Sequence, residues 1–268
     1  MDVKVVLITG GSSGIGAATA HLLASEGMKV YAGSRHGSID REQEGLVPVQ
    51  LDVNDEAATK ALIRQILQDE GRLDAVVCNA GNGIYGPVEG TTQEEARAQF
   101  ETTYFGALKT IQAVLPVFRS QGFGRIITIT SVMAILQLPF QGFYSSAKAA
   151  LLSLTQSLHL ELKGTGIEVC SILPGDVATG FTSSRRFTRA AGADASPYRG
   201  WMERNLKKIE KDELDGMSPD VIARAIRSQL KKRHMNVRVV PRADYKGVAL
   251  LVRVLPVSVV LKIIGHLY

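Results

Sequence analysis

The chain has 268 residues, a length that suits one large α/β domain or two smaller domains. Apolar residues make up 45% of the sequence and charged residues 21%, and the glycines and prolines follow no period, which excludes disordered, collagen-like and coiled-coil chains. The formal net charge of +5 favours anionic ligands in general. Nucleic-acid binding needs a clustered basic face or a recognised module, so we expect no nucleic-acid partner.

Strand and helix patterns alternate along the chain. Short β-branched runs predict seven strands, at 4–9, 29–34, 46–52, 73–81, 125–131, 167–175 and 236–242. Apolar residues at helical spacing predict helices at 14–27, 56–71, 92–118, 144–163 and 218–232. This alternation implies right-handed βαβ crossovers. The predicted fold class is therefore α/β: a single-domain, Rossmann-like, doubly wound parallel sheet of about seven strands with helices on both faces, over residues 1–268.

Two stretches near the end of the sequence depart from this alternation. Residues 180–217 are polar, basic and dotted with aromatic side chains, which favours a substrate lid over the alternative of a surface excursion. The tail, about residues 245–268, is apolar but interrupted by Arg253, Pro256 and Lys262, whereas a spanning helix needs about 20 mostly apolar residues. It predicts either a packed helix pair split at Pro256 or a segment that docks on a membrane surface.

The two cysteines, Cys78 and Cys170, are too few for a disulfide scaffold. Both fall in apolar strand patterns, which is typical of buried free thiols. The apolar run near the N-terminus has four residues, too short for the core of a signal peptide. We therefore expect a cytoplasmic protein.

A glycine-rich turn follows the first predicted strand. The segment TGGSSGIG (9–16) leads into the first helix, where glycines permit positive φ and bring the backbone close to a pyrophosphate. The start of that helix offers free N–H groups to the same anion. The sequence therefore predicts a dinucleotide site that includes Gly10, Ser12, Ser13, Gly14 and Ile15.

The second predicted strand distinguishes between the two nicotinamide dinucleotides. NAD sites place an acidic residue about 20 positions beyond the glycines, but here Arg35 follows the strand and no acid occurs before Asp40. An arginine pairs with a 2′-phosphate, which predicts NADP(H); the alternative is that Arg35 is a surface charge and NAD is bound. Asp52 and Asn79-Ala80-Gly81 end the next two strands, and they are candidates for cofactor contacts or for turns and caps.

Three further residues indicate chemistry. Ser131 ends the fifth strand, and Tyr144 and Lys148 follow on one face of a predicted helix, one turn apart. A cation beside a phenol lowers the pKa of the phenol, which gives a group able to exchange a proton with an alcohol or carbonyl oxygen. A serine hydroxyl nearby can hold the same oxygen. A Tyr-x3-Lys pair alone is also typical of a helix surface, but the glycine turn upstream favours a catalytic site.

Together these motifs resemble the short-chain dehydrogenase/reductase family in its common short form. The resemblance covers residues 3–180 and lies in TGGSSGIG (9–16), LDV (51–53), NAG (79–81), Ser131, YSSAK (144–148) and PGDVAT (174–179). It implies that Tyr144 is the general acid/base, that Lys148 lowers its pKa and binds the nicotinamide ribose, and that Ser131 orients the substrate oxygen. It implies no metal site. The further cofactor contacts that it implies are Val53, Pro174, Gly175, Val177 and Thr179.

One position departs from the family pattern. The family usually has an asparagine in the long fourth helix, which shapes the helix and holds a water leading to the lysine. Here Thr103 stands in that place. We expect a reduced or rerouted proton relay, and not an inactive enzyme.

The substrate side is less well marked. The four-residue gap from Tyr144 to Lys148 resembles the carbonyl- and alcohol-acting members rather than the enoyl reductases. The apolar tail resembles members acting on hydroxysteroids, retinoids or acyl-dihydroxyacetone phosphates. The basic side chains of the lid region could meet an acidic group on a substrate, or could be solvated. The candidate substrate contacts are Leu138, Phe140, Phe181 and Trp201.

We therefore predict an NADP(H)-dependent oxidoreductase that interconverts a secondary alcohol and a ketone on a bulky apolar substrate, steroid-, retinoid- or lipid-like. Three alternatives stay open: a catalytically weak NADPH-binding sensor or scaffold, a general carbonyl or 3-ketoacyl reductase, and an interfacial lipid-binding protein that uses the tail. The resemblance also implies a homodimer or homotetramer, paired through the fourth and fifth helices. Peripheral membrane contact through the tail is a further expectation.

Overall fold

The computed structural model describes residues 3–192 and 196–268. Its centre is a seven-stranded parallel sheet with the strand order β3-β2-β1-β4-β6-β7-β9. The strands of this sheet are β1 (Val5–Thr9), β2 (Lys29–Ser34), β3 (Leu46–Gln50), β4 (Ala75–Cys78), β6 (Gly124–Ile129), β7 (Ile167–Ile172) and β9 (Arg238–Val239). A separate two-stranded sheet is formed by β5 (Ile84–Tyr85) and β8 (Arg186–Phe187).

Helices cover both faces of the large sheet. The α-helices of the described chain are α1 (Gly14–Ser25), α2 (Glu56–Glu70), α3 (Gln93–Phe100), α4 (Gly106–Gln121), α5 (Gly142–Glu161), α6 (Arg199–Leu214), α7 (Pro219–Lys231), α8 (Ala243–Val254) and α9 (Val257–Leu267). Successive strand residues point to opposite faces. Val6 and Ile8 of β1 therefore pack with α1 and α7, whereas Val5 and Leu7 pack with α2, α4 and α5. The predicted Rossmann-like α/β fold is confirmed.

The predicted long helix 92–118 is interrupted in the structure. Helices α3 and α4 are separated by a π-helical turn, Glu101–Phe105, which contains Thr103. The chain then passes close to the end of β3, since a Cβ atom on Gly106 would lie 2.6 Å from Val53 Cγ2. Such π-turns often lie at functional sites, and this one brings Thr103 toward the carboxyl edge of the sheet.

The lid region contains a helix that the sequence analysis did not delimit, and the tail forms the predicted helix pair split at Pro256. Helix α6 lies in the lid region and is joined to the segment before β8, because the buried Arg185 pairs with Glu213, which also accepts a hydrogen bond from Thr182 Oγ1 at 2.6 Å. The tail forms α8 and α9, separated by Pro256. The division into one domain with a lid at 180–217 and a tail at 245–268 stays a prediction.

The structure also tests the predictions about a membrane-spanning helix and about the two cysteines. Among the helices of residues 3–192 and 196–268, none is both long and apolar enough to cross a membrane. Cys78 and Cys170 are both free and buried, as predicted. Burial raises the pKa of each thiol to about 12, so both remain protonated and unreactive.

Candidate active site

The carboxyl ends of the central strands open into one large cavity of about 1100 Å³. The strand order reverses between β1 and β4, and ligands of open α/β sheets bind outside the carboxyl ends of the strands at such a switch point. Every residue predicted to contact the cofactor lies in the cavity wall. They are Gly10, Ser12, Ser13, Gly14, Ile15, Arg35, Asp52, Val53, Asn79, Ala80, Gly81, Tyr144, Lys148, Pro174, Gly175, Val177 and Thr179.

The glycine turn gives this cavity a wall made of backbone. Gly14 has a φ of 53°, in the left-handed region that favours glycine. A Cβ atom on Gly16 would lie 2.0 Å from the carbonyl oxygen of Gly10, so no larger residue fits there. In the described chain no side chain caps α1 at Ser13, and the first turn of the helix carries no acidic residue. The N–H groups and the positive end of the helix dipole therefore face the cavity without a competing anion.

The loop after β4 is tied to the glycine turn. Thr9 Oγ1 accepts hydrogen bonds from the backbone N–H groups of Asn79 and Ala80, each at 3.1 Å. Asn79 Nδ2 in turn donates to the carbonyl oxygens of Thr9 at 3.1 Å and Gly10 at 2.9 Å. The side chain of Asn79 therefore holds two sides of the cavity together, which is the turn role left open in the sequence analysis.

Arg35 stands at the end of β2, exposed and in the cavity wall. No ion pair is formed by its guanidinium within the described residues. Asp40, the nearest acid downstream, is held elsewhere, because its Oδ1 lies 3.0 Å from His21 Nε2 and its side chain is not part of the cavity wall. Asp52 lines the cavity and accepts the backbone N–H of Asn54 at 2.9 Å.

Ser131, Tyr144 and Lys148 come together on one side of the same cavity. All three side chains are buried, at 7%, 8% and 5% exposure. Ser131 Oγ donates to the carbonyl oxygen of Pro174 at 3.5 Å and accepts the backbone N–H of Met133 at 3.1 Å. Lys148 Nζ donates to the carbonyl oxygen of Ile129 at 2.8 Å and lies 5.8 Å from the centre of the Tyr144 ring. Strand β6 thus supplies both the serine at its end and the acceptor that positions the lysine.

Burial dominates the titration of both groups. It raises the pKa of Tyr144 to about 12, although the neighbouring Ser131 hydroxyl lowers it. It also lowers the pKa of Lys148 to about 8. The sequence predicts that Lys148 lowers the pKa of Tyr144. In the structure the ammonium group is hydrogen-bonded to Ile129 and not to the phenol, so desolvation of the phenolate prevails.

Thr103 lies behind the cavity wall and not in it. Its side chain is fully buried, and its Oγ1 accepts a hydrogen bond from Gln99 Nε2 at 2.8 Å. The same Nε2 donates to the carbonyl oxygen of Asn82 at 3.0 Å, while Gln99 Oε1 has no partner in the described chain. A methyl group on Gly81 would lie 3.6 Å from Lys148 Nζ and 3.7 Å from Thr103 Oγ1. Thr103 and Lys148 therefore flank the same glycine.

Gln99 is a site residue that the sequence analysis missed. Gln99 is 1% exposed, and its amide lies beside Thr103. Thr103 is the residue that stands where the family has its asparagine. The available signal was its spacing, because residues four apart share one face of a helix. The structure thus shows a buried Gln–Thr pair next to Gly81 and Lys148 in place of a single asparagine.

The predicted substrate contacts divide into two pairs. Leu138 and Phe181 line the cavity, and the Phe181 ring centre lies 5.7 Å from that of Tyr144. Phe140 and Trp201 are not in the cavity wall. They pack on each other with ring centres 4.8 Å apart, in an aromatic cluster with Tyr85 and Tyr198. The structure therefore brings only the first pair to the cavity.

The tail supplies cavity-lining residues that the sequence analysis did not single out. Tyr245 of α8 lines the cavity, and its hydroxyl donates to Asp176 Oδ2 at 2.5 Å and accepts the backbone N–H of Asp176 at 3.0 Å. A Cβ atom on Gly175 would lie 2.2 Å from the Tyr245 ring, so the ring stacks directly on the loop after β7. Of the lid arginines, Arg186 lines the cavity, whereas Arg185 is used internally to hold Glu213.

Comparison with known proteins agrees with this geometry. A model of the short chain dehydrogenases matches residues 4–190. The chain belongs to the short-chain dehydrogenase family. This is a family of oxidoreductases that use a nicotinamide cofactor, and solved structures with this fold hold NAD or NADP.

Two similar proteins of the family are a reductase and a dehydrogenase with lipid-related names. The chain is 38% identical to a 3-ketodihydrosphingosine reductase of Bacteroides thetaiotaomicron over 84% of this chain and 83% of the relative. It is 36% identical to the mouse 17-beta-hydroxysteroid dehydrogenase type 1 over 68% of this chain and 56% of the relative. A short-chain dehydrogenase of Streptomyces avermitilis is 28% identical and superimposes with a TM-score of 0.80 over 94% of each chain.

Proposed function

We propose that this protein is an NADP(H)-dependent oxidoreductase that interconverts a ketone and a secondary alcohol on a bulky, lipid-like substrate. The observation that carries this proposal is that Ser131, Tyr144 and Lys148 meet in the cavity that Arg35 also lines. Ser131, Tyr144 and Lys148 can bind and protonate a carbonyl oxygen. Arg35 offers a cation to a phosphate group. An intracellular location in the cytoplasm is part of the same proposal.

The residues of the cavity fit NADP(H). The backbone turn at Gly16 has no space for a Cβ atom and the start of α1 is uncapped in the described chain, which suits a pyrophosphate. Arg35 would pair with the 2′-phosphate, since it forms no ion pair with any described residue and the nearby Asp40 is held by His21. Asp52 would accept the adenine amino group. When bound, the reduced cofactor supplies the hydride for the carbonyl carbon.

The protein's own residues handle the proton. With its pKa raised to about 12, Tyr144 is a neutral phenol at neutral pH and enters ketone reduction as the general acid. Its hydroxyl donates the proton to the carbonyl oxygen, which becomes the alcohol, while the Ser131 hydroxyl donates a hydrogen bond to the same oxygen. The Lys148 ammonium, still largely protonated at neutral pH because its pKa is about 8, stabilises the phenolate that is left.

The substrate class is proposed from the rest of the cavity wall. Beyond the catalytic and cofactor residues, the wall includes a group of apolar side chains from α8 and α9, together with Leu138 and Phe181, beside charged side chains such as Arg186 and Glu213. Apolar walls with a few convergent polar groups are typical of sites for hydrophobic ligands. The names of the two relatives, a ketodihydrosphingosine reductase and a hydroxysteroid dehydrogenase, support a long-chain or polycyclic ketone.

A substrate panel tests this proposal. Purified full-length protein is incubated with long-chain 3-keto sphingoid bases, steroids, retinoids, acyl-dihydroxyacetone phosphates, 3-ketoacyl thioesters and short soluble ketones, and absorbance at 340 nm is followed with NADPH and with NADH. We expect the highest kcat/KM with NADPH and a long-chain ketone. Preference for short ketones or thioesters would indicate the general carbonyl or 3-ketoacyl reductase instead.

A second candidate function is an NADPH-binding sensor with little turnover. The replacement of the family asparagine by the Gln99–Thr103 pair favours it, because the residues beside Lys148 differ from the family pattern. This candidate predicts tight NADPH binding, measured by fluorescence, without oxidation of NADPH by any ketone of the panel. Turnover with one class of ketone would exclude it.

We also propose a homodimer or homotetramer paired through α4 and α5. Two exposed apolar side chains support this: Phe105, directly before α4, is 42% exposed and Leu160 of α5 is 74% exposed. Sedimentation velocity of the wild type and of Leu160→Glu tests the assembly. We expect the substitution to lower the sedimentation coefficient, and an unchanged monomer in both samples would contradict the proposal.

A further inference from the structure

The tail helices use one apolar stripe each to line the cavity. The stripe residues are spaced i, i+3, i+4, i+7, which places them on one face of each helix. They are Val248, Leu251, Val252 and Leu255 in and just after α8, and Val260, Ile263, Ile264 and Leu267 in α9. Contact with the cavity therefore explains why these positions are apolar. It does not explain the apolar side chains on the other sides of the two helices.

Two large apolar side chains of α8 lie away from the cavity stripe. At 3.6 residues per turn, Leu250 and Val254 lie about 150° and about 110° around the helix from the centre of that stripe, on the side that also carries Lys246 and Arg253. The side chains of Leu250 and Val254 are 63% and 70% exposed, and Val257 in the following turn is 71% exposed. More than half of the large apolar side chains that are exposed in the described chain lie between residues 250 and 267. Contiguous exposed apolar surface of this kind marks an interaction site.

The same surface contains the mouth of the cavity. Leu251, Ile263 and Leu267 line the cavity, yet they are 55%, 48% and 54% exposed. Side chains that are both in the wall and open to solvent form its rim. The cavity thus opens between the two tail helices, beside the apolar surface of Leu250, Val254 and Val257.

The charged side chains between residues 245 and 268 are all basic, and Asp244 in the first turn of α8 is paired with Arg242. Lys246, Arg253 and Lys262 are exposed and form no ion pair in the described part of the chain, and no Asp or Glu occurs from residue 245 to residue 268. A second copy of this chain seated on the surface would bring like charges together without acids to pair them. An anionic lipid surface complements both the cations and the apolar side chains.

We propose that α8 and α9 dock in the interface of a bilayer that contains anionic lipids, and that the substrate enters the cavity directly from that bilayer. This inference rests on the proposed lipid-like substrate and adds where the substrate comes from. Helix α8 has 12 residues, about 18 Å of helix, which is too short to span a hydrocarbon core of about 30 Å. The tail therefore lies along the surface and does not cross it.

Contacts with the rest of the protein fix the tail in this position. The backbone oxygen of Tyr268 accepts hydrogen bonds from Trp201 Nε1 at 3.0 Å and Asn205 Nδ2 at 3.3 Å, and the Tyr268 hydroxyl donates to Asp212 at 2.9 Å. Tyr245 holds the start of the tail on the loop after β7. The docking surface and the rim are thus presented by a tail attached at both ends, and bound protein has its cavity mouth against the lipid.

Vesicle flotation with matched variants tests the docking. The full-length protein is mixed with phosphatidylcholine vesicles with or without phosphatidylglycerol. We expect the double variant Leu250→Gln/Val254→Gln to bind the anionic vesicles at least about tenfold more weakly than the wild type, because both side chains leave the lipid. The control Val88→Gln/Leu214→Gln removes a valine and a leucine of similar exposure, 66% and 67%, elsewhere on the surface and should bind as the wild type does.

The charge arm uses Lys246→Gln/Arg253→Gln/Lys262→Gln. This variant should lose the preference for phosphatidylglycerol, and added salt should weaken wild-type binding. Equal flotation of the wild type and both tail variants would overturn the proposal. So would a lack of wild-type flotation together with a change in sedimentation coefficient in Leu250→Gln/Val254→Gln, since that result would assign the surface to a second copy.

Turnover separates this inference from the proposed function. Neither tail variant changes a cavity-lining residue, so both should reduce a short soluble ketone as fast as the wild type does. With a long-chain ketone supplied in anionic vesicles, we expect their rates to fall by about the same factor as their vesicle binding. No turnover of any ketone by the wild type would refute the proposed function alone, whereas normal rates from vesicles in both tail variants would refute the docking alone.

Discussion

The two ends of the cavity are built in different ways. Around the glycine turn the wall is mostly backbone, held by fully buried strands and by hydrogen bonds such as those between Asn79 and Thr9. Around α8 and α9 the wall is made of side chains on two short helices, and several of these side chains are half exposed. Backbone geometry suits a cofactor that is always the same, whereas a side-chain wall determines which substrate fits.

The largest expected effect comes from changing Tyr144, which tests whether proton transfer can be lost without loss of cofactor binding. Tyr144→Phe removes the proton donor but keeps the ring that packs near Phe181. We expect ketone-dependent NADPH oxidation to fall by about 10²–10⁴-fold, the usual contribution of a general acid, with an unchanged Kd for NADPH. Tyr104→Phe, which removes a hydroxyl outside the cavity wall, is the control. Unchanged turnover in Tyr144→Phe would refute the mechanism.

The next effect concerns Arg35, the side chain proposed to select NADP(H) over NAD(H). Arg35→Asp replaces the cation expected to meet the 2′-phosphate by a repelling charge. Losing a hydrogen bond to a charged group costs about 1.5–3 kcal/mol, so the ratio of kcat/KM for NADPH over NADH should fall by about 10- to 100-fold or more. Arg41→Asp makes the same change of charge at an exposed position outside the cavity wall. If both variants keep the NADPH preference, Arg35 does not select the cofactor.

Substitution of Thr103 tests whether the protein needs a threonine at the position where the family has an asparagine, or only tolerates it. An asparagine at this fully buried position is larger and would displace the hydrogen bond from Gln99. We expect Thr103→Asn to lower kcat several-fold with little change in NADPH binding, because Thr103 lies behind the cavity wall. Thr103→Ser keeps the hydroxyl and should restore turnover. Full activity in Thr103→Asn would mean that threonine is merely tolerated.

The pH profile reports on Lys148. Its pKa is lowered to about 8 by burial, so the ammonium loses its proton as pH rises through this value. The phenolate left by Tyr144 is then less stabilised, and kcat for ketone reduction should be level from about pH 6 to 7.5 and decline above about pH 8. Initial rates in matched buffers measure this. A level profile to pH 10 would show that the charge of Lys148 is not needed.

The same contrast explains how much could be predicted from the sequence. The fold and the catalytic residues are encoded in local patterns: β-branched runs, a glycine turn, and a Tyr-x3-Lys spacing on one helix. Gln99 and Tyr245 were missed because their roles depend on contacts with distant segments, at Asn82 and at Asp176. Phe140 was predicted near the substrate because it lies between Ser131 and Tyr144 in sequence, and Trp201 because it is an aromatic residue of the lid region. Aromatic packing places both in a separate cluster.

The smallest expected effect concerns Tyr245, which connects the tail to the loop after β7. Tyr245→Phe removes the hydroxyl that bonds both the carboxylate and the backbone N–H of Asp176, so this half-buried carboxylate loses a partner. We expect the free energy of unfolding to fall by about 1–2 kcal/mol in urea denaturation. Tyr198→Phe removes a tyrosine–carboxylate bond to Glu89 at an exposed site and should cost less. An unchanged free energy of unfolding in Tyr245→Phe would mean that Tyr245 holds the tail by ring packing on Gly175 alone.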